Sequence, residues 1–381
     1  MPAKKFFLAL AVLMGTIVGA GIFGLPFVIS KSGVIPGFFY FFVLGFAVLI
    51  LHLMLGETVL RTEGKMRLSG YSEKYLGRNG KFVVTISMII GITSSLLAYI
   101  ILGGNFLKII FSPVSNLSPF YFGLIFWVIL IYFVFKGMKV IAPAAVFTNI
   151  AFFVIIFVVI SVLLPDFSIK NFSLINPGNI FLPYGIIMFS LTGFAAIPEI
   201  TDILKSPEEK KVFKKVIIIA SFISIVLYLI FSLGVVGVSN AKTSEEALSG
   251  LVPFLGKKII ILGALFGIIT IADSFLIMCL YFRNTLIYDY HFPKTLASAT
   301  ASFLPLLLFL KFRDFTQVVG FAGTILGTIE GIIILLIFRK AKKLGDRTPE
   351  YSLNIPDYFI YLLIIIFILG MSFQLFYSKN I

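Results

Sequence analysis

The stretch "GTIVGAGIFGLP", Gly15 to Pro26, lies inside the first long apolar run of the chain and decides how the rest is read. It sets four glycines and a proline where a membrane helix is expected to stay regular. Unwound backbone at membrane depth is tolerated only where a cavity, a ligand or an ion supplies hydrogen-bond partners. Glycines at 15, 19, 21 and 24 let the chain leave the helix and let a ligand approach the main chain. Amides released at the start of a half-helix suit a carboxylate, and freed carbonyls suit a cation or an ammonium group. An α-amino acid carries both charges and fits such a break. Gly15 and Gly19 alone also satisfy the small-xxx-small spacing of close helix packing.

That packing reading does not account for a second, matching interruption. Near the middle of the chain, "FSLTGFAAIPEI" (Phe189 to Ile200) again has a glycine followed five residues later by proline, Gly193 and Pro198, as Gly21 precedes Pro26. Apolar runs long enough to cross a bilayer fall near 6–32, 35–60, 82–107, 119–136, 141–164, 180–204, 213–238, 257–281, 294–310, 314–338 and 355–377. The two interrupted spans therefore lead two sets of five, 6–164 and 180–338. An odd number of spans separates the leaders, so the sets run in opposite directions, as an inverted repeat requires, and interrupted spans at corresponding positions point to a transporter binding site.

Composition agrees with a single membrane domain over 1–381, since 59% of the residues are hydrophobic and only 13% charged, against about half and a quarter in soluble domains. The 44 phenylalanines fit lipid-facing and interhelical packing. The formal charge of +14 is a matter of topology rather than of nucleic acid. With the N-terminus inside, 22 of the 31 basic residues fall in cytoplasmic segments, the bias expected of a polytopic protein. This places the N-terminus in the cytoplasm, the C-terminus outside and the chain in the cell membrane, with the lipid bilayer as its surroundings. The start resembles a signal peptide but runs on without a clear cleavage site, so it is expected to be retained as the first span. The single cysteine, Cys279, excludes an internal disulfide and a cysteine metal cluster. No HExxH, GxSxG, Walker or CxxC pattern is present, so neither an enzyme nor a cofactor is expected. In the outer segment "SNAKTSEEALSGLVPFLGKK", Thr243 and Glu246 have capping-box spacing, and "EEALSGL" is expected to form a short helix.

The ordered set "GTIVGAGIFGLP", "AYIILGGNFL", "FAAIPEI" and "DSFLIMCLYFRNTLIYDY" resembles the amino acid/polyamine/organocation superfamily, in its aromatic amino acid permease and amino acid/auxin permease branch. The resemblance covers essentially the whole chain. It implies an all-α, LeuT-type bundle of five plus five inverted spans with an eleventh appended, spans one and six discontinuous, and secondary transport of amino acids. Carried over by position, the substrate carboxylate meets amides around Ala20 and Gly21, with Thr16 and Gly19 nearby in the substrate site. Its amino group meets carbonyls around Phe189, Ser190 and Thr192, with Gly193 beside them among the substrate-binding residues. Tyr99 offers a hydroxyl or an aromatic wall, and Phe194 closes over the side chain. The fold's sodium site corresponds to carbonyls near Gly15 and Val18 with Thr270, Asp273 and Ser274 on one face of span eight.

Asp273 stands where that site has a hydroxyl residue. A carboxylate within a span is expensive and functional by default. It suits either a sodium ion or a proton, and both remain open as the coupling ion. Glu199 is a candidate inner gate and Glu330 a candidate for an ion path. Glu57 is expected to pair with Arg61, and His52 to be a packed, hydrogen-bonded residue. A non-transporting sensor of the same fold, or a carrier of a polyamine or nucleobase, are the alternatives.

Overall fold

The first apolar run folds as two helices. Helix α1 (Pro2–Ile17) and helix α2 (Gly21–Ser32) are separated by three residues and bent by 51°. The computed structural model describes residues 2–64, 66–136, 154, 157–288 and 290–378, and its regular elements are all helical. After the first pair come α3 (Val34–Arg61), α4 (Leu68–Phe111) and α5 (Pro119–Lys136). The second broken span consists of α6 (Pro183–Leu191) and α7 (Ala196–Ile203), with Thr192 to Ala195 unwound between them. It is followed by α8 (Phe213–Ser239), α9 (Lys257–Tyr288), α10 (Lys294–Phe309), α11 (Phe315–Leu344) and α12 (Asp357–Ser378). Most of the fifth expected span, 141–164, lies outside the described residues; from its end only the apolar helix Phe157–Asp166 is described.

Two groups of spans divide the bundle. Helices α1–α2, α3, α6–α7 and α8 pack on one another around the two breaks. Helices α4, α5, α9 and α10 form the other group, and α11 lies between the groups against α3, α4 and α6. Helix α4 begins well before the expected span at 82–107. Its first turns bury Tyr71, Ser72 and Tyr75, and it turns sharply at Gly77, whose φ of 79° a side chain would resist. Helix α11 loosens to a π-helix over Ala322–Gly327 before resuming as an α-helix at Thr328.

The two faces of the bundle are closed differently. On the face carrying Lys5, that residue pairs with Glu209 at 2.6 Å in the turn between α7 and α8. The linker between α11 and α12 is bound to the end of α3. Glu57, fully buried, accepts from Arg61 (2.7 Å) and the Leu353 amide (2.6 Å) and pairs with Lys342 at 3.0 Å. The expected Glu57–Arg61 pair is thus half of a larger clamp. On the opposite face the segment before α6 is laced to the α2–α3 turn by three backbone bonds, Val34 to Ser173, Ile35 to Leu174 and Asn176 to Ser32.

The segment between α8 and α9, expected on the outer side, departs from its expected local structure. "EEALSGL" forms no α-helix; it runs through turns into a 3₁₀ turn at Ser249–Leu251 and the short helix Val252–Leu255. Glu246 does not reach back to Thr243. It receives the amide and hydroxyl of Ser249 ahead of it, while the Thr243 hydroxyl donates to the Asn240 carbonyl at 2.6 Å. Ala247, at φ 66°, leaves the right-handed helical region altogether. Burial of Ala247, Leu248 and Leu251 outweighs the local helix signal.

Candidate functional site

Both breaks face one cavity. Gly21 is the first residue of α2 with Ala20 as its cap, so its amide is among those a helix start leaves without an intrahelical partner. The break in α6–α7 comes so close that a β-carbon on Gly21 would lie 2.8 Å from Cα of Ser190. Only glycine permits that approach.

All ten residues expected to meet substrate, Thr16, Gly19, Ala20, Gly21, Tyr99, Phe189, Ser190, Thr192, Gly193 and Phe194, line a cavity of about 160 Å³, and Glu330 is on its wall. A second cavity of about 390 Å³ adjoins it, sharing Thr16, Gly19 and Tyr99. The five residues expected to bind the coupling ion, Gly15, Val18, Thr270, Asp273 and Ser274, line this second space together with Glu199. Thr270 is buried with its hydroxyl unpartnered among the described residues, and the Tyr99 hydroxyl meets Ser274. The two spaces are on the scale of a small-molecule site.

The two ends of this space are lined differently. Arg67, Glu199, Tyr281 and Asn284 border the second cavity toward the Lys5 face. There Arg67 donates to Thr285 at 3.0 Å and lies 4.6 Å over the Tyr281 ring. Beyond the breaks on the opposite side, Phe23 meets Phe106 at 5.0 Å and Phe231 at 6.4 Å, both edge to face. All three rings are buried and form an aromatic cluster.

Two side chains that the motifs did not single out for the site hold the broken backbone. The Tyr228 hydroxyl of α8 lies 2.7 Å from the Ile17 carbonyl and 2.8 Å from that of Ser190, bridging the ends of α1 and α6. His52 of α3 accepts the Gly193 amide on Nε2 at 3.2 Å, its Nδ1 meets the Ser221 hydroxyl at 3.3 Å, and Phe194 packs edge to face on its ring at 5.2 Å. Since Nε2 accepts, the imidazole is neutral with its proton on Nδ1. The expectation that His52 is packed and hydrogen-bonded therefore holds, and its partner is the unwound span itself. The Phe189 carbonyl is taken by the Thr192 hydroxyl at 2.9 Å. Of the carbonyls expected to face an amino group, two already have internal donors.

A bundle of apolar helices broken twice, with the breaks meeting at a small cavity, defines a LeuT-type fold. The fold is similar to the solved structure of MhsT in complex with L-phenylalanine, with a TM-score of 0.65 over 98% of each chain at 13% identity. The chain matches the tryptophan/tyrosine permease family over residues 3–374 and belongs to it. It is 25% identical to glutamine transporter 2 of Aliivibrio fischeri across 93% of each chain. It is 24% identical to tyrosine-specific transport system 1 of Haemophilus influenzae across 88% of each.

Proposed function

We propose that this protein moves an α-amino acid across the cell membrane by alternating access, coupled to a proton or sodium gradient. The observation that carries the reading is the meeting of the two broken spans at one cavity. Open helix-start amides around Ala20 and Gly21 favour the substrate carboxylate, while carbonyls at the ends of α1 and α6 favour its ammonium group. The relatives named for glutamine and tyrosine transport support an amino acid as the class of substrate.

With the lysine-rich face in the cytoplasm, the cavity opens inward and the Phe23–Phe106–Phe231 seal closes the outer path. The second cavity is the proposed coupling site. Carboxylate, hydroxyl and carbonyl oxygens there suit a hard cation, and Asp273 alone suits a proton. Neutralising Asp273 by either route lets α9 and the first break pack together, which links ion binding to the conformational change.

Uptake into proteoliposomes tests this directly. Labelled amino acids are supplied with and without a sodium gradient and with and without a pH gradient. Accumulation that follows one gradient and is abolished by an ionophore for that ion is expected. Binding without uptake would leave the protein a sensor, and uptake of a polyamine or nucleobase in place of amino acids would reassign the cavity.

A further inference from the structure

Glu330 has no role in holding either end of an amino acid, yet it is on the wall of the substrate cavity. Resting on the transport reading above, we propose that Glu330 reads the substrate side chain and selects amino acids whose side chain carries an N–H or O–H donor.

The placement comes from α11. Gly323, Gly327 and Glu330 follow one another down the cavity-facing stripe of this helix, through the π-segment and into the α-helix after it. Residues on either side of that stripe point elsewhere. The Thr328 hydroxyl is 3.0 Å from that of Tyr184, and Gly331 abuts Leu51 and Phe367. Across the cavity α4 comes close, since a β-carbon on Gly91 would sit 3.2 Å from Leu326 Cδ1, one turn from Glu330.

Among the described residues nothing hydrogen-bonds to Glu330 or pairs with it. A carboxylate at this depth is costly unless it has a partner, and the protein supplies none. The neighbouring wall is mostly apolar, formed by Met88, Ile92, Met278 and Leu326. Ser95 has turned its hydroxyl back to the Gly91 carbonyl at 3.0 Å, and Arg67 is engaged by Thr285 and Tyr281 near the mouth. The two breaks account for the carboxylate and ammonium of the substrate. What remains to meet its side chain is an apolar slot with one strong acceptor. A carboxylate accepts only, so its complement is an amide, a hydroxyl, an indole or an ammonium. A site built around such an acceptor rejects an apolar analogue of the same shape, because the acceptor is then left buried and unmatched.

The test uses the full-length protein in proteoliposomes and the KM for three pairs of labelled amino acids of similar size: glutamine and methionine, tyrosine and phenylalanine, threonine and valine. In the pair that fits the slot best, the donor-bearing member is expected to have a KM lower by at least about tenfold. Glu330→Leu should bring that ratio close to one, and Glu330→Gln, which keeps an acceptor oxygen, should retain part of it. Equal KM values within every pair in the wild type would overturn the proposal, even if Glu330→Leu fails to fold. So would a ratio unchanged in Glu330→Leu, or a Glu330→Gln effect confined to the pH dependence of uptake, which would make the residue a proton carrier. Uptake of none of the six would instead sink the amino acid reading itself.

Discussion

The two breaks solve the same problem in different ways. In α1–α2 the sequence removes side chains. Gly15, Gly19, Gly21 and Gly24 surround the unwound residues, and one outside side chain, Tyr228, reaches in to the Ile17 carbonyl. In α6–α7 the unwound residues hold one glycine, Gly193, and neighbouring side chains take up the freed groups: His52 the Gly193 amide, Thr192 the Phe189 carbonyl and Tyr228 the Ser190 carbonyl. A break stripped of side chains keeps its main chain available to a ligand, whereas a break held by its neighbours is already satisfied. On this reading α1–α2 does most of the recognition and α6–α7 supplies a pre-shaped wall.

The largest effect should follow from filling the bare break. Gly21→Val places a branched side chain against Ser190, with backbone 2.8 Å from its β-carbon. Neither backbone is free to retreat, because Tyr228 ties both breaks to α8. Uptake should fall by two orders of magnitude or more, roughly the cost of a core overpacking of about 3 kcal/mol. Retention of monodisperse, folded protein in detergent would show that the site and not the fold was lost. Near-normal uptake would mean that the breaks separate during transport far more than their packing implies.

Asp273→Asn should come next, because α9 brings this carboxylate to the wall shared with Gly15 and Val18 of the bare break. The variant should bind substrate but lose accumulation against a gradient, reducing concentrative uptake to passive exchange. Measuring counterflow beside gradient-driven uptake separates the two. If accumulation persists, the coupling ion binds elsewhere and the second cavity is only part of the inner path.

The differences between these regions mark what a sequence discloses. Glycine and proline leave a direct trace, so both breaks were legible as patterns, as were the ten expected spans that the described residues cover, and the residues assigned to each cavity by resemblance do line a common space. The supports were not legible in the same way. His52 and Gly193 are 141 residues apart, Tyr228 and Ile17 211 apart, and a lone histidine or tyrosine in an apolar span has the same appearance whether it faces a core or a broken backbone. The clamp on Glu57 has the same character, since Lys342 and Leu353 come to it from the far end of the chain. "EEALSGL" failed in the opposite sense: a local helix signal was overridden by the burial of Ala247 and Leu251 against the bundle. Interaction across long separations is what one sequence conceals.

The supported break has its own test. His52→Phe keeps a ring beside Phe194 but removes the acceptor, leaving the Gly193 amide buried and unpaired at a cost of about 1–3 kcal/mol. The KM should rise by roughly tenfold with little change in maximal rate, because the wall of the site shifts while the gates do not. His52→Gln, whose amide oxygen reaches the same position, should restore most of the affinity. If both variants behave alike, His52 contributes shape only and the contrast between a bare and a supported break weakens.

A change remote from both breaks should move neither, and Asp346 provides it. Its carboxylate accepts from the Glu63 amide at 2.8 Å and from Lys74, joining the linker before α12 to the turn between α3 and α4. The Lys74 ammonium, followed by that amide, holds Asp346 below its ordinary value of 3.8. A depressed carboxylate adds stability that is present above the unfolded value and is lost as pH falls through the folded one. Asp346→Asn should therefore melt slightly below wild type in detergent at neutral pH, and the difference should begin to shrink below about 3.8 and vanish once the pH has fallen past the lower folded value. The pair is at the surface, where such interactions are weak and screened by salt, so the difference should also shrink in high salt. Substrate KM should not change at all. A shift in KM would show that the linker is coupled to the substrate site through α3, whose residues include both Glu57 and His52, and the two breaks could then no longer be treated as governed by their immediate neighbours alone.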